Sequence, residues 1–313
     1  MIVVVEEKRG FMEPQIKELM YGLPNQPRVV GKKDEAGQIL FPEKMALSPV
    51  DVALKLGGIL FEEGVASELN TRRISALEAA ANSGNVPATA ERTPWFCSGC
   101  PHNTSTKLPD GSGSYAGIGC HFMAVWMDRN VAGFTHMGGE GANWIGESHF
   151  VSHDHMFQQV GDGTYNHSAI QAIRAARASN TQITFKILFN DAAAMTGGQA
   201  HEGDMSIGQV LAELKAFNLD KVVAVYDEKE AWDPGTAPSG VETRERADLD
   251  AVQRELREIK GPTALVYIQT CAAEKRRRRK RGKFPDIDKR VYINPEVCEG
   301  CGDCGVASNC VSV

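Results

Sequence analysis

Between residues 158 and 268, short apolar runs alternate with segments of helical spacing, and this alternation narrows the possible folds of the 313-residue chain most. Residues 158–160 lead into Gly161-Asp162-Gly163. Ile170, Ile173 and Ala176 then recur at helical intervals, and 183–189 is a strand-like run of apolar and β-branched residues. A helix over 207–217, a strand over 222–226, a helix over 247–259 and a strand over 264–268 complete the series. Strands joined by helices imply a parallel sheet covered on both faces, because each crossover helix packs onto the sheet it connects. The expected fold class is therefore α/β.

The flanks read differently. Residues 2–6 form a β-branched run suited to a buried strand, and 13–21 reads as a helix. Residues 22–46 look like an extended connection. Ser48-Pro49 opens a second helix towards residue 63, as an N-cap followed by proline should. Residues 83–94 again look like a linker. The first stretch has little apolar surface of its own, which suggests the tail of a preceding domain. Three regions are expected: 1–90, 91–273 and 274–313.

Hydrophobic residues make up 42% and charged residues 24%, which excludes disorder as the main state. No apolar stretch approaches the ~18 residues of a membrane helix. The N-terminus lacks the basic region and cleavage site of a signal peptide. A cytoplasmic location is expected, with no membrane contact. The net charge is −6, yet seven basic residues stand together at 275–281. Without them the chain carries −13 (−6 minus 7), which argues against nucleic acid as a partner. The basic run has no interleaved aromatics and reads as a linker facing acidic neighbours. His149, His153 and His155 read as solvated loop residues. His102 and His121 stand beside cysteines.

Gly161-Asp162-Gly163 follows a strand and precedes a helix, and Asn190 ends the next strand. A right-handed strand–helix–strand unit brings both turns to the same edge of the sheet. Asp162 and Asn190 should then lie side by side at the carboxyl ends of neighbouring strands, where open α/β sheets bind ligands. A carboxylate, an amide oxygen and a loop carbonyl make an all-oxygen site suited to Mg²⁺ with phosphate oxygens. Glycine allows close backbone approach, and the helix N-terminus offers free N–H groups to a diphosphate.

These residues resemble the thiamine-diphosphate motif. The continuation 190–199, Asn-Asp-Ala-Ala-Ala-Met-Thr-Gly-Gly-Gln, resembles the 2-oxoacid:ferredoxin oxidoreductases and, within them, the indolepyruvate branch in its long single-chain form. Phe96-Cys97-Ser98-Gly99-Cys100-Pro101-His102 and the run 137–144, Met-Gly-Gly-Glu-Gly-Ala-Asn-Trp, match that branch too. The resemblance covers residues from about 90 to the end, and 1–90 resembles the segment that precedes the thiamine module. It implies that Asp162, Asn190 and the Ala192 carbonyl ligate Mg²⁺, and that Gly161, Gly163 and Thr164 approach the diphosphate. It also implies that Met137, Gly138 and Gly139 line the ring pocket, with Thr196 and Gly197 in the cofactor-binding set. The second Asn of the general motif is Asp191 here, so its side chain is not counted as a ligand.

All eight cysteines bear on this reading. C-x-x-C spacing without a secretory signal points to metal or iron–sulfur ligation rather than disulfides. Cys298, Cys301 and Cys304 carry the two-residue gaps of a ferredoxin cluster run, and Cys310 follows after five residues, where a second cluster would take it. Zinc held by four thiolates is the competing reading. By the resemblance, Cys97, Cys100, Cys120 and Cys271 hold a [4Fe–4S] cluster beside thiamine, with Cys120 and Cys271 also readable as plain buried thiols.

The resemblance implies oxidative decarboxylation of a 2-oxoacid, indolepyruvate or another arylpyruvate, to an acyl-coenzyme A, with electrons passed through clusters to ferredoxin. Pyruvate or branched-chain 2-oxoacids are alternative substrates, and a non-catalytic electron-transfer module is the alternative of another class. The activating glutamate of thiamine enzymes is expected outside this chain. The 313 residues alone are therefore expected to be inactive, working within a longer polypeptide or with partner subunits in a dimeric enzyme.

Overall fold

The computed structural model describes residues 1–83, 94–201, 203, 205–289 and 291–308. The chain divides into two compact units, Met1–Glu91 and Arg92–Val313. Most of the connection expected at 83–94 lies outside the described residues.

In the first unit, strand β1 (Ile2–Val3) pairs in parallel with β2 (Val29–Val30). The Glu6 carboxylate accepts hydrogen bonds from the amides of Phe11, Met12 and Glu13 at 2.8–3.1 Å and so caps the helix Met12–Met20. Those three amides hold the Glu6 carboxyl below its ordinary range, Met12 first among them. Ser48 Oγ accepts from Asp51 N at 3.0 Å and starts the helix Pro49–Glu62. A further helix, Glu68–Ser83, packs on it at Gly57, where a Cβ would come within 2.5 Å of Ile74. Few apolar side chains are buried here, Val4, Val30 and Phe41 among them, while Phe11, Leu19, Tyr21 and Met45 are exposed.

The second unit is built on seven strands: β3 (Ser114–Ala116), β4 (Val131–Phe134), β5 (Met156–Gly161), β6 (Ile183–Phe189), β7 (Lys221–Tyr226), β8 (Glu242–Glu245) and β9 (Pro262–Ile268). They form one sheet in the order β4-β3-β5-β6-β9-β7-β8, and every pairing is parallel. Successive strand residues face opposite sides. Ile183, Phe185, Ile187, Ala264 and Val266 pack in one core with Trp144, Ile173, Leu211 and Leu214. Leu188, Val223, Val225, Leu265 and Tyr267 pack in the other with Leu249, Val252 and Leu256. The second core rests on the helix Leu249–Arg257, and the helices Ile170–Ser179 and Ile207–Ala216 cover the first. The α/β fold expected from the sequence is thus the observed one.

Two features differ from expectation. The basic run is helical, Ala272–Lys280, and packs against the sheet's carboxyl-end loops instead of serving only as a connection. His155 is buried, its Nε2 2.8 Å from Thr184 Oγ1, and burial drives its pKa down to about 3; His149 and His153 are exposed as expected.

Candidate cofactor site

Strands β5 and β6 are neighbours, and Gly161 is paired with Leu188. That register sets the two turns side by side. Asp162 begins the helical segment after β5, and its carboxylate is fixed from three directions. Oδ1 accepts from Gly163 N at 2.9 Å, and Oδ2 accepts from Asn190 N at 2.8 Å and Asp191 N at 2.9 Å. His201 Nε2 lies 3.1 Å from Oδ2. Past Asp162–Thr164 the helix widens into a π turn, Tyr165–Ala169, before Ile170–Ser179. Such turns recur at functional sites because they displace one side chain from the helical register.

Asn190 is buried, and among the described residues its Oδ1 has no hydrogen-bond partner. A buried amide oxygen without a partner costs free energy unless something fills the position. A cation beside Asp162 would do so. Asp162 and Asn190 therefore fit the two side-chain ligands of a Mg²⁺–diphosphate site, with water, a carbonyl and phosphate supplying the other oxygens.

Both residues open into a cavity of about 340 Å³, large enough for much of a small cofactor. Met137, Gly161, Gly163, Thr164, Ala192 and Thr196 line it as well. Gly138, Gly139 and Gly197 do not. Gly138 N instead donates to Glu140 Oε2 at 2.6 Å, and the Gly197 carbonyl turns towards the basic helix. Sequence reasoning missed His201, Asn166 and His167 in this lining. His201 sits in a loop, without periodic neighbours to flag it.

His102 and His121 also face the cavity, with ring centroids 5.5 Å apart. Burial lowers the pKa of His102 to about 4 and, aided by His102, that of His121 to about 3. Both are neutral at physiological pH. His102 Nε2 lies 3.4 Å from Asn190 Nδ2 and Nδ1 3.3 Å from Ser105 Oγ.

Cys97, Cys100, Cys120 and Cys271 lie within one another's electrostatic reach, and Cys120 lines the cavity as well. Burial raises Cys100 to about 12, and the charges of Cys120, Cys97 and Cys271 each add to the rise. Burial raises Cys120 to about 11, followed by the charges of Cys271 and Cys97. Among the described residues no three His, Cys, Asp or Glu side chains converge as tightly as a single ion requires. The cysteine and oxygen sites touch: Cys271 N donates to the Asn190 carbonyl at 2.9 Å. Cys298, Cys301 and Cys304 are exposed, and Cys310 lies outside the described residues.

The sequence matches the Indolepyruvate oxidoreductase domain over residues 1–84 and the C-terminal TPP binding domain of thiamine pyrophosphate enzymes over 112–267. Among curated relatives, the "Indolepyruvate oxidoreductase subunit IorA" of Methanothermobacter marburgensis is 24% identical over 87% of this chain and 49% of its own length. That of Thermococcus kodakarensis is 24% identical over 71% of this chain and 36% of its own. Together these matches support a relationship to the indolepyruvate oxidoreductases. It spans about half the length of the first relative and about a third of the second. A solved 2-oxoglutarate:ferredoxin oxidoreductase from Magnetococcus marinus, with 2-oxoglutarate, coenzyme A and succinyl-CoA bound, aligns at a TM-score of 0.42 and 18% identity, covering 64% of this chain and 68% of that one. No helix among the described residues is long and apolar enough to cross a membrane.

Glu140 gives a separate test of the packing beside the cavity. Its side chain is fully buried and Oε1 has no partner among the described residues. Burial raises its pKa above the ordinary glutamate value. A carboxyl with a raised folded pKa binds its proton more tightly folded than unfolded, so stability falls as pH climbs through that interval. Glu140→Gln should therefore melt higher than the native protein at pH 8, with the gap narrowing towards pH 4. Thermal melts across this range that show no narrowing would reject the burial of a titrating group there.

Proposed function

We propose that this chain is the thiamine-diphosphate- and Mg²⁺-binding part of a 2-oxoacid:ferredoxin oxidoreductase acting on indolepyruvate or a related arylpyruvate. The observation that carries the reading is the contact between two chemistries: the Asp162/Asn190 oxygen pair and four gathered cysteines, joined by the Cys271–Asn190 hydrogen bond. Thiamine diphosphate, held there, would supply the carbon nucleophile and electron sink that 2-oxoacid decarboxylation needs.

The chain's own residues supply the setting. Asp162, Asn190 and the Ala192 carbonyl hold the metal, while Gly161, Gly163 and Thr164 bring backbone N–H groups to the diphosphate. Met137 and Thr196 line the ring pocket, and Gly138, Gly139 and Gly197 belong to the turns that carry them. His102 and His121, kept neutral by burial, offer hydrogen bonds without placing a cation beside the metal. Cys97, Cys100, Cys120 and Cys271 hold a [4Fe–4S] cluster where electrons leave. Cys298, Cys301, Cys304 and Cys310 belong to ferredoxin-type clusters further out. Coenzyme A takes the acyl group and ferredoxin the electrons. The activating glutamate and the remaining cluster ligands come from the rest of a longer polypeptide or from partner subunits, in a cytoplasmic and dimeric assembly.

Anaerobic assay of the assembled enzyme with a panel of 2-oxoacids, coenzyme A and ferredoxin tests the activity. Acyl-coenzyme A formed fastest from arylpyruvates is the expected result, and no coenzyme-A-dependent oxidation of any 2-oxoacid would reject the reading. A second measurement tests the cluster. Cys97→Ser and Cys100→Ser should each remove the iron of one four-iron cluster and leave thiamine diphosphate affinity within about threefold, since neither thiol enters the diphosphate site. Iron content unchanged in Cys120→Ser or Cys271→Ser would take those residues out of the ligand set.

A further inference from the structure

The basic run has more order than a solvated linker needs. Its helix, Ala272–Lys280, starts directly after Cys271, whose amide is bonded to the Asn190 carbonyl. Two turns on, the helix meets the same loop again. Arg277 Nη1 donates to the Gly198 carbonyl at 3.0 Å and Nη2 to the Gly197 carbonyl at 2.7 Å, while its guanidinium also pairs with Glu274. Arg278 Nη2 meets Asp191 Oδ2 at 2.6 Å. Lys275 reaches Glu230 at 2.5 Å and anchors the helix from another side.

The loop so gripped combines left-handed backbone with its own internal hydrogen bonds. Asp191 has a left-handed φ of 59°, Gly197 one of 115° and Gly198 one of 80°. The φ of 80° at Gly198 favours glycine, and a Cβ there would have to displace the side-chain ends of Glu274 and Arg277. Within the loop, Thr196 and Gln199 bond to each other and Ala193 bridges to Gln199.

We propose that Arg277 and Arg278 are positioning residues for the metal–diphosphate site, acting through the loop 191–198. The inference rests on the reading of Asp162 and Asn190 as that site. Arg278 acts through Asp191: the side chain of Asp191 is held by Arg278, and its amide donates to Asp162 Oδ2 at 2.9 Å. An arginine fork suits this task, because it can bind two neighbouring carbonyls or a carboxylate in a fixed geometry. The arrangement also accounts for Asp191 where the general thiamine motif has a second Asn: a carboxylate pairs with Arg278 and an amide does not.

The Arg278–Asp191 pair is partly exposed, with side chains 33% and 51% accessible. Pairs of that kind add little to global stability. A brace that served only the fold would therefore leave almost no trace in Mg²⁺ binding, whereas residues that orient metal ligands typically change metal affinity 10–100-fold when removed.

The test is calorimetric titration of Mg²⁺ and thiamine diphosphate into the assembled enzyme, with melting followed by tryptophan fluorescence. Arg278→Ala and Asp191→Ala should each weaken Mg²⁺-dependent thiamine diphosphate binding by about tenfold or more, with melting temperatures near native. The double variant should be no weaker than the single ones, because both remove the same link. Arg278→Lys should recover part of the affinity, and Arg276→Ala, an exposed residue of the same run, should bind as the native enzyme does. Binding within twofold of native in both Arg278→Ala and Asp191→Ala would overturn the proposal. So would equal weakening in Arg276→Ala, which would make bulk charge the cause. A native enzyme with no Mg²⁺-dependent binding at all would instead sink the site reading on which the proposal rests.

Discussion

Replacing Asp162 by alanine should lower Mg²⁺-dependent thiamine diphosphate affinity by at least about 100-fold, more than any residue that merely supports a ligand. Two losses combine. The cation loses its one anionic protein ligand, so the diphosphate enters the cavity with its charge less well balanced. The Gly163, Asn190 and Asp191 amides lose their shared acceptor at 2.8–2.9 Å, which frees the turn that presents Asn190. Stranding buried donors costs about 1–3 kcal/mol each, so a lower melting temperature should accompany the binding defect. Asp162→Asn separates the two effects. It keeps one acceptor oxygen and should melt closer to native, yet still bind at least about tenfold more weakly because the charge is gone. Asn190→Ala removes a neutral oxygen and should fall between native and Asp162→Ala. Calorimetry on the assembled enzyme decides: undiminished affinity in Asp162→Ala would remove this residue from the metal site.

That pair of residues could be read from the sequence because both of its strands announce themselves. Strands β5 and β6 flank a helix with Ile170, Ile173 and Ala176 on one face, and a crossover of that length returns to the neighbouring position. Other elements gave no such signal. Strands β3 and β4 have three and four residues, too few for an alternating pattern. Strand β8 is Glu-Thr-Arg-Glu at the edge of the sheet, where one row of backbone groups is unpaired and charge is favoured over apolar residues. The placement of β9 between β6 and β7 is a tertiary choice, made by which apolar faces fit together. The helix Glu68–Ser83 buries none of its side chains and so lacks an apolar stripe.

The basic helix shows the same limit most clearly. Seven like charges in a row read as a solvated connection, because a like-charged run repels itself unless acceptors are near. The acceptors exist, but Asp191, Glu230 and the carbonyls of Gly197 and Gly198 lie about 45–90 residues away in the chain. Cys97 and Cys100 share a two-residue spacing that marks them as a pair, whereas Cys120 and Cys271 join them in the sequence only through the resemblance; the fold sets all four within one another's electrostatic reach.

A last consequence concerns Lys186, in the middle of β6 and fully buried. Among the described residues no carboxylate pairs with it. Nζ donates to Gln253 Oε1 at 2.6 Å and to the Lys107 carbonyl at 3.2 Å, and it lies 5.6 Å from the centre of the Phe157 ring. Burial lowers its pKa to about 7, with the nearby Arg129 charge adding to the effect. Between pH 7 and the ordinary lysine value the unfolded chain binds more protons than the folded one, so stability rises with pH through that window. Below pH 7 both states are protonated, and the full cost of a buried cation is carried by the fold. Each pKa unit corresponds to about 1.4 kcal/mol, which makes that cost several kcal/mol. Methionine has similar length and no charge. Lys186→Met removes the cost but strands two acceptors at about 1–3 kcal/mol each. The variant should therefore gain on native at pH 6, where the buried cation is present, compared with high pH, where it is not. The gain should be lost near pH 10, where native Lys186 is neutral and keeps its hydrogen bonds. Urea denaturation at pH 6, 8 and 10, followed by tryptophan fluorescence, reports on the second unit alone because all four tryptophans lie there. A Lys186→Met protein whose stability relative to native is no higher at pH 6 than at pH 10 would mean that the buried cation is better solvated by Gln253 and the Lys107 carbonyl than its burial implies.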